Sequence, residues 1–478
     1  MKKSTLFLSF LIVVALSVTT INVVYGSSSK VVYVSSSSGD DANTGLTEGT
    51  PFRTIRKAVS SFPDTIYLKR GDIFYESIKY GRASMTGYGK GPMPIMSGYK
   101  RIVKPSWKKV KENVWKLCLT DDNFTGYQVE GSSYLNNIGC IHEYDKDIIH
   151  GNRVEHYDQL KEDWDIWQCE GHGKDLPASS FDNVFLYLSS NPNNLHLEFS
   201  VNVCGANMYE GHALINGIRF EGFNTAVNFN MSGDITNCRI DAIGGNLFLT
   251  DIYGFVCAGN GIQYWVGRYA LDNSLAKGNY ITRCYDCGIT IQGDGPVSPK
   301  NITVSDNLIT NCCQGWEDFI HHGEAFYDNC VFENNIVVFS GESGWGYPES
   351  RFKYCHILQN NCYGAKGMIF RNNTFISGNY YCSEPCGKDY KSAVWQGNVC
   401  YIENGNFLTG RYHGNGDIVR MPTTEKGRRA FTEERDKAIE AYRMTVNDKS
   451  TKFVIVSPKK AKRLGNREIN KYLKTHTY

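Results

Sequence analysis

Three segments repeat at a spacing of 27 residues: Gly261-Ile262-Gln263-Tyr264-Trp265, Gly288-Ile289-Thr290-Ile291-Gln292 and Gly315-Trp316-Glu317-Asp318-Phe319. Read as β-strands, their side chains alternate between two faces. Ile262, Ile289 and Trp316 then point inward together with Tyr264, Ile291 and Asp318. Gln263, Thr290 and Glu317 share one outward column; Trp265, Gln292 and Phe319 share another. A polar column beside large exposed aromatics suits a polysaccharide-binding face, and the aromatics are the informative part, because exposed polar residues are ordinary. Glu317 is the carboxylate of that face. Counted by the same period, position 344 sits above Glu317, which puts Glu342 one coil up and two residues back, at roughly 8 Å. Inverting glycosidases hold their two carboxylates about 6.5–9.5 Å apart. Asp286 also points outward, but it lies four residues before Thr290, so a flat sheet sets it ~14 Å from Glu317 and pairing needs a bend. Glu317, Glu342 and Asp286 are the catalytic candidates, each with a turn or ion-pair role as the plain alternative.

Asp318 falls on the inner face, where an unpartnered carboxylate is costly. Either a bulge turns it outward or it is buried with a raised pKa; bulges are frequent beside active sites. The expected substrate-binding set is Gln263, Trp265, Thr290, Gln292, Asp318, His322, Trp345 and Arg351, with His321 and His356 near the same side. Arg351 would bind a uronate carboxylate or act as a lyase base, a surface ion pair being its ordinary role. There is no serine or cysteine nucleophile arrangement and no phosphate-cradling glycine loop. The pairs Cys284/Cys287 and Cys382/Cys386 have no matching Cys/His set at a second position, so no metal site is expected.

What must position these residues is a solenoid. Asn279, Asn307 and Asn335 recur every 28 residues, Asn361 follows after 26, and Asn398 continues the series, each leading apolar residues. A period in the twenties with strand-like runs predicts stacked coils, about 4.8 Å apart along the axis. Asparagine tolerates left-handed backbone at tight turns and stacks into amide ladders. Asn216 and Asn237 belong to early coils. Cys257, Cys284 and Cys312, and likewise Cys330 and Cys355, keep nearly the same period. Many of the 16 cysteines are therefore expected to stack inside as small apolar residues, with a Cys382–Cys386 disulfide as one loop pairing.

The predicted organisation is a signal peptide over 1–26, an N-terminal cap and first coils over 27–100, an inserted β-rich module over 101–205, the main β-helix over 206–410, and a C-terminal cap with a basic tail over 411–478. Lys2-Lys3 and the apolar run Leu6–Val18 read as an export signal, which places the protein outside the cytoplasm; no later segment has the ~20 apolar residues of a membrane span. Thr50-Pro51 reads as the cap and first position of a helix over Phe52–Ser61. The module carries Trp107, Trp115, Trp164 and Trp167, which either pack it or wall a sugar-binding groove. Thr432–Met444 reads as helix and Lys452–Val456 as strand. The net charge of +2 is split: from Arg420 onward 16 Lys/Arg face 7 Asp/Glu, while residues 4–419 carry 33 against 42. A mildly acidic body does not favour nucleic acid; the tail is a cap or a surface-binding element.

The opening Tyr33-Val34-Ser35, Gly39–Gly45, Pro51–Ile55 and Ala58, with Gly259–Trp265, Tyr285–Gly293 and Gly344-Trp345-Gly346, resembles the right-handed parallel β-helix, or pectate-lyase-like, superfamily. The latter segments look like a bacterial polysaccharide-processing subgroup similar to β-helix glycoside hydrolases. The resemblance spans most of residues 30–410. It implies an all-β chain, a right-handed parallel β-helix with an N-terminal cap helix, an inserted module and a C-terminal α/β cap. Related sequences often have Glu where this chain has Gln263. Lyases, hydrolases, epimerases and adhesins share the fold. The reading is a secreted glycoside hydrolase acting on a polysaccharide through paired carboxylates, without cofactor. The alternatives are a polysaccharide lyase or epimerase, often calcium-dependent, and a non-catalytic glycan-binding or surface protein.

Overall fold

The computed structural model describes residues 29–478 apart from 105, 122–123, 129–130, 171–174, 249–256, 321–325, 342–344, 346–354, 360–365, 384–392, 411–417, 424–427 and 477. The export signal, Glu342, His321, His322, Arg351, Asn361 and Cys386 lie outside the described residues.

Three ten-stranded sheets run the length of the chain. Within one coil the chain visits sheet one (Ile262–Trp265), sheet two (Asp272–Lys277) and sheet three (Tyr280–Cys284), then returns to sheet one at Cys287–Gly293. Successive coils pair in parallel on all three, and parallel crossovers of this kind are right-handed; the fold is a right-handed parallel β-helix. The inward residues Ile262, Ile289, Trp316 and Ile357 stack in one row and are fully buried, each stabilising the coil by about 2 kcal/mol. Phe229 stacks on Tyr264 at 5.2 Å and Phe370 on Trp395 at 4.6 Å, so aromatic rows fill the axis.

The asparagine ladder turns the corner between sheets two and three. The Oδ1 of Asn307 accepts from the backbone N and Nδ2 of Asn279, both at 2.9 Å, and Asn335 does the same for Asn307 at 3.0 and 2.9 Å. The next rung is Asn373, not Asn361: Asn373 Oδ1 accepts from Asn335 N and Nδ2, and Asn398 follows it. The step from Asn335 to Asn373 is 38 residues, because the chain leaves the coil after Ser340 and rejoins sheet one at Cys355. A second, exposed column, Asn273–Asn301–Asn329, sits in left-handed backbone (φ 51°, 53° and 52°) with side chains bonded coil to coil at 3.0 and 2.8 Å.

Cysteines pack as expected at Cys284 and Cys312, both in the main core. Two predicted stacks do not exist. Cys257 pairs with Leu247 in a two-stranded antiparallel ladder, and the residue beneath Cys284 is Ile243. Cys330 adjoins a sheet-two strand whereas Cys355 lies in sheet one, so their shared spacing joins different sides. Cys382 is buried in the core.

Helix α1 covers Ile55–Ser60, with Ile55 and Ala58 in the core, and its N-cap is Thr54, whose side chain accepts from Lys57 N, not Thr50. Residues Tyr99–Ser200 build two antiparallel-rich five-stranded sheets around their own core, which holds Trp107, Leu117, Ile166, Leu186 and Phe199. Trp164 stacks on His150 at 3.7 Å, and Trp167 packs edge-on against Tyr157 and Phe185. The tryptophans thus hold this module together. It emerges between Ile95–Ser97 of sheet three and Cys204–Met208 of sheet one, and the coils on either side pair directly across the excursion. Helix α2 spans Arg428–Val446, the strand Lys452–Val456 adds the last rung of sheet three, and a further helix, α3, runs over Pro458–Thr475.

Candidate active site on the outer face of sheet one

The register of sheet one sets Gln263 beside Thr290 and Thr290 beside Glu317. The expected columns are present: Ile262, Tyr264, Ile289, Ile291, Trp316 and Asp318 face the core, and Trp265, Gln292 and Phe319 form the neighbouring outer column, each half-buried. The column extends further toward the N-terminus than sequence reasoning reached. Asn207 pairs with Asn228, and Asn228 with Gln263; Asn228 Nδ2 and Asn230 Nδ2 both donate to Asn207 Oδ1, at 2.9 and 2.7 Å. The alternation Asn228-Phe229 was a signal, but aligning it needed the length of the excursion before Cys257.

Amides run across this face. Gln263 Oε1 accepts from Asn260 Nδ2 at 2.8 Å and from Gln292 Nε2 at 3.3 Å, and Thr290 Oγ1 donates to Gln292 Oε1 at 3.0 Å. Thr290 and Glu317 are enclosed, Glu317 being 5% exposed.

Asp286 occupies the corner between sheets three and one. Its backbone N donates to Gly259 O at 3.2 Å, and Gln314 N donates to its carbonyl at 2.9 Å. The residue keeps some exposed surface, while Oδ1 is enclosed without a hydrogen-bond partner. Burial pushes the carboxyl up to about 7, against a smaller lowering by the Gly259 backbone and the Gln314 amide. That amide acts through proximity, since neither its nitrogen nor its oxygen makes a well-formed hydrogen bond. The Cys287 thiol is raised by burial first and then by the charges of Glu317 and Asp286. The Cys287 thiol therefore lies within electrostatic reach of both carboxyls.

Glu342 lies outside the described residues. The count that placed position 344 above Glu317 fails, because Leu358 holds that place and the excursion after Ser340 breaks the 27-residue step. Asp318 follows sheet alternation without a bulge and is 1% exposed. Its Oδ2 accepts from Trp316 Nε1 at 3.0 Å and Gln359 Nε2 at 3.2 Å, and burial pushes the carboxyl up to about 7. An inward carboxyl is out of reach of a polymer on the outer face, so the substrate-contact role is withdrawn. Trp345 is also buried, packed on Tyr285 at 5.2 Å in a cluster with Cys140 and Ile149 of the inserted module; it joins module to solenoid and offers no exposed ring. His356 is buried, bonded through Nδ1 to Ser340 Oγ at 2.9 Å, and burial lowers it to about 3, so it stays neutral. Among the described residues no cluster of His, Cys, Asp and Glu has metal-binding geometry.

The inserted module abuts this corner. A Cβ on Gly139 would come within 2.0 Å of Gly244 O, and one on Gly245, at φ +86°, within 2.1 Å of Trp345; only glycine permits that approach. Asn137 Nδ2 donates to Leu247 O at 2.8 Å, and Leu247 N to Asn137 Oδ1 at 3.1 Å. Behind it, Arg283 binds Asp241 at 2.7 and 2.9 Å and reaches Asp147 of the module at 3.1 Å. The module therefore borders the side of sheet one that carries Asp286.

No family model and no curated protein matches this chain. Solved structures do. XylC in complex with xylose aligns over 80% of this chain and 69% of its own at TM-score 0.45 and 15% identity. The GH136 lacto-N-biosidase of Eubacterium ramulus aligns over 89% and 68% at TM-score 0.36 and 11% identity. The alginate lyase of Paenibacillus sp. FPU-7 aligns over 80% and 92% at TM-score 0.34 and 8% identity. This chain is similar to them in overall course, and such a likeness carries no chemistry with it. No helix among the described residues is long and apolar enough to cross a membrane.

Proposed function

We propose that the outer face of sheet one is the active site of an exported carbohydrate-active enzyme, a glycoside hydrolase that cleaves a polysaccharide. The observation that carries this reading is the column Gln263–Thr290–Glu317 with its amides and half-buried aromatic rings, beside a corner carboxyl, Asp286, raised by burial. A carboxyl raised to about 7 is half protonated at neutral pH, which suits a general acid that protonates the leaving glycosidic oxygen. Glu317 is assigned the second role, activating water or attacking the anomeric carbon. Gln263, Gln292 and Asn228 supply hydrogen bonds to sugar hydroxyls, the buried Thr290 holds Gln292 in place, and Trp265 and Phe319 supply faces for sugar rings.

The test is a screen of purified protein on diverse polysaccharides, reading both reducing ends and ultraviolet absorbance. A hydrolase releases reducing ends without absorbance; an unsaturated, absorbing product reassigns the site to a lyase, and neither signal with a melting shift on glycan reassigns it to a binder. On the confirmed substrate, Glu317→Gln and Asp286→Asn should each lower kcat by about 10²–10⁴-fold. Unchanged turnover in Glu317→Gln sinks the assignment.

A further inference from the structure

The tail that leaves the repeat is not an appendage. Helix α3 has 18 residues, about 27 Å of length. It lies along the solenoid axis over sheet three. Ala461, Leu464, Gly465 and Tyr472 pack on Leu308, Val338, Phe339 and Ile376. Tyr472 Oη donates to Asp306 O at 2.7 Å, and Tyr478 Oη to Gly278 O at 2.6 Å, several coils back from the strand that precedes the helix. The apolar face of α3 is thus fully used.

Its other face is cationic. Lys460, Arg463, Arg467, Lys471 and Lys474 recur at three- and four-residue steps and are all exposed; Lys459 and Lys462 flank them. They form one stripe, with roughly 4.5–6 Å of rise between neighbours and ~21 Å end to end. Glu468 is the one acid of the helix, and it pairs with Arg467. Like charges held in a row repel one another, a cost that a bound polyanion would relieve.

We infer that this stripe is a docking surface for an anionic polysaccharide, one bearing carboxylate, sulfate or phosphate along an extended chain. The cations are spaced on the scale of single sugar rings, in a line parallel to the solenoid axis. A membrane-surface helix needs an apolar face to insert; here that face is buried against sheet three, and none of the exposed large hydrophobic residues lies beyond Met444. A single-strand nucleic-acid platform needs exposed aromatic rings between its cations, and the stripe has none. Docking here is independent of catalysis on sheet one.

The probes are immobilised polygalacturonate and heparin, with neutral xylan and phosphatidylglycerol-containing vesicles as the other arms. Full-length protein should bind both polyanions at 50 mM salt and ignore vesicles, and its retention on neutral xylan should be the same with and without the stripe. With about five contacts, affinity should fall on the order of a hundred-fold between 50 and 200 mM salt. Replacing Lys460, Arg463, Arg467, Lys471 and Lys474 by Gln should weaken binding at least about ten-fold and flatten the salt dependence, leaving the melting temperature unchanged. If that variant folds poorly, Lys460→Glu with Lys471→Glu carries the same expectation. No retention of the unaltered protein on either polyanion, equal retention of the variants, or tighter binding to the vesicles overturns the inference.

Discussion

Asn335→Ala tests the claim that the amide ladder holds the coils in register. In the native chain Asn335 Oδ1 accepts from Asn307 N at 3.0 Å and from Asn307 Nδ2 at 2.9 Å, and its own Nδ2 donates to Val304 O at 2.9 Å and Asn373 Oδ1 at 3.2 Å. Alanine removes all four bonds. Asn373 Oδ1 keeps the Asn335 backbone N at 2.9 Å, and Asn307 Nδ2 keeps Ala276 O at 3.0 Å. The Asn307 backbone N–H and the Val304 carbonyl are left without these partners in a site closed to water, since Asn307 and Asn335 are both 0% exposed. Unsatisfied buried groups cost about 1–3 kcal/mol each, and the lost side chain leaves a small void, so the expected loss is about 4 kcal/mol. The matched control is Asn329→Gly in the exposed column, where glycine accepts the left-handed backbone and the cost should stay within about 0.5 kcal/mol. Urea denaturation with a shared slope reads both, and hydrogen exchange at Asn307 N reads the broken rung directly. A loss below about 1 kcal/mol in Asn335→Ala, or equal losses in the two variants, refutes the reasoning.

Further outcomes concern charge. Asp318 is held at about 7 in the folded chain against an ordinary value of 3.8, so its contribution is present at low pH and is lost as pH rises through 7; Asp318→Asn should match the native protein near pH 4 and exceed its stability at pH 8 by at most about 4 kcal/mol, and an unchanged pH slope in urea melts counts against this. Asp241, fully buried among Arg283, Arg239 and Arg219, is lowered to about 2; Asp241→Asn should cost about 3–5 kcal/mol at pH 7 by stranding those cations, a loss that fades as pH falls toward 2. If Asp286 is the acid, kcat should decline as pH rises above about 7, and a profile flat from pH 6 to 9 removes it from that role.

The repeat was readable because the two coils from Gly261 to Gly315 keep one length, and the two outward columns followed from it. Where coil length changes, residue counting no longer measures axial position. That is why counting gives Asn361 in place of Asn373, and puts position 344 above Glu317 where Leu358 lies. Asp286 was visible as an outward carboxyl, but its burial at the corner, which raises it to about 7, is not encoded in spacing. Trp345 looked like a sugar platform because local sequence does not show that the module at Cys140 and Ile149 covers it. Helix α3 had a usable signal in Ser457-Pro458, a cap followed by proline at the first turn; the density of lysines hid its thin apolar face.

The module and the excursions at 244–260 and 341–354 all depart from the corner between sheets three and one, while the ladder stands at the corner between sheets two and three. One edge of the prism is a rail of fixed pitch, and another is a slot into which chain of any length can be spliced. Insertions there change what borders Asp286 and Glu317 without disturbing the stacking that carries them. Such a body lets specificity be rewritten by exchanging cassettes at one edge, and grafting a foreign loop between Ser340 and Cys355 should leave both neighbouring coils in register.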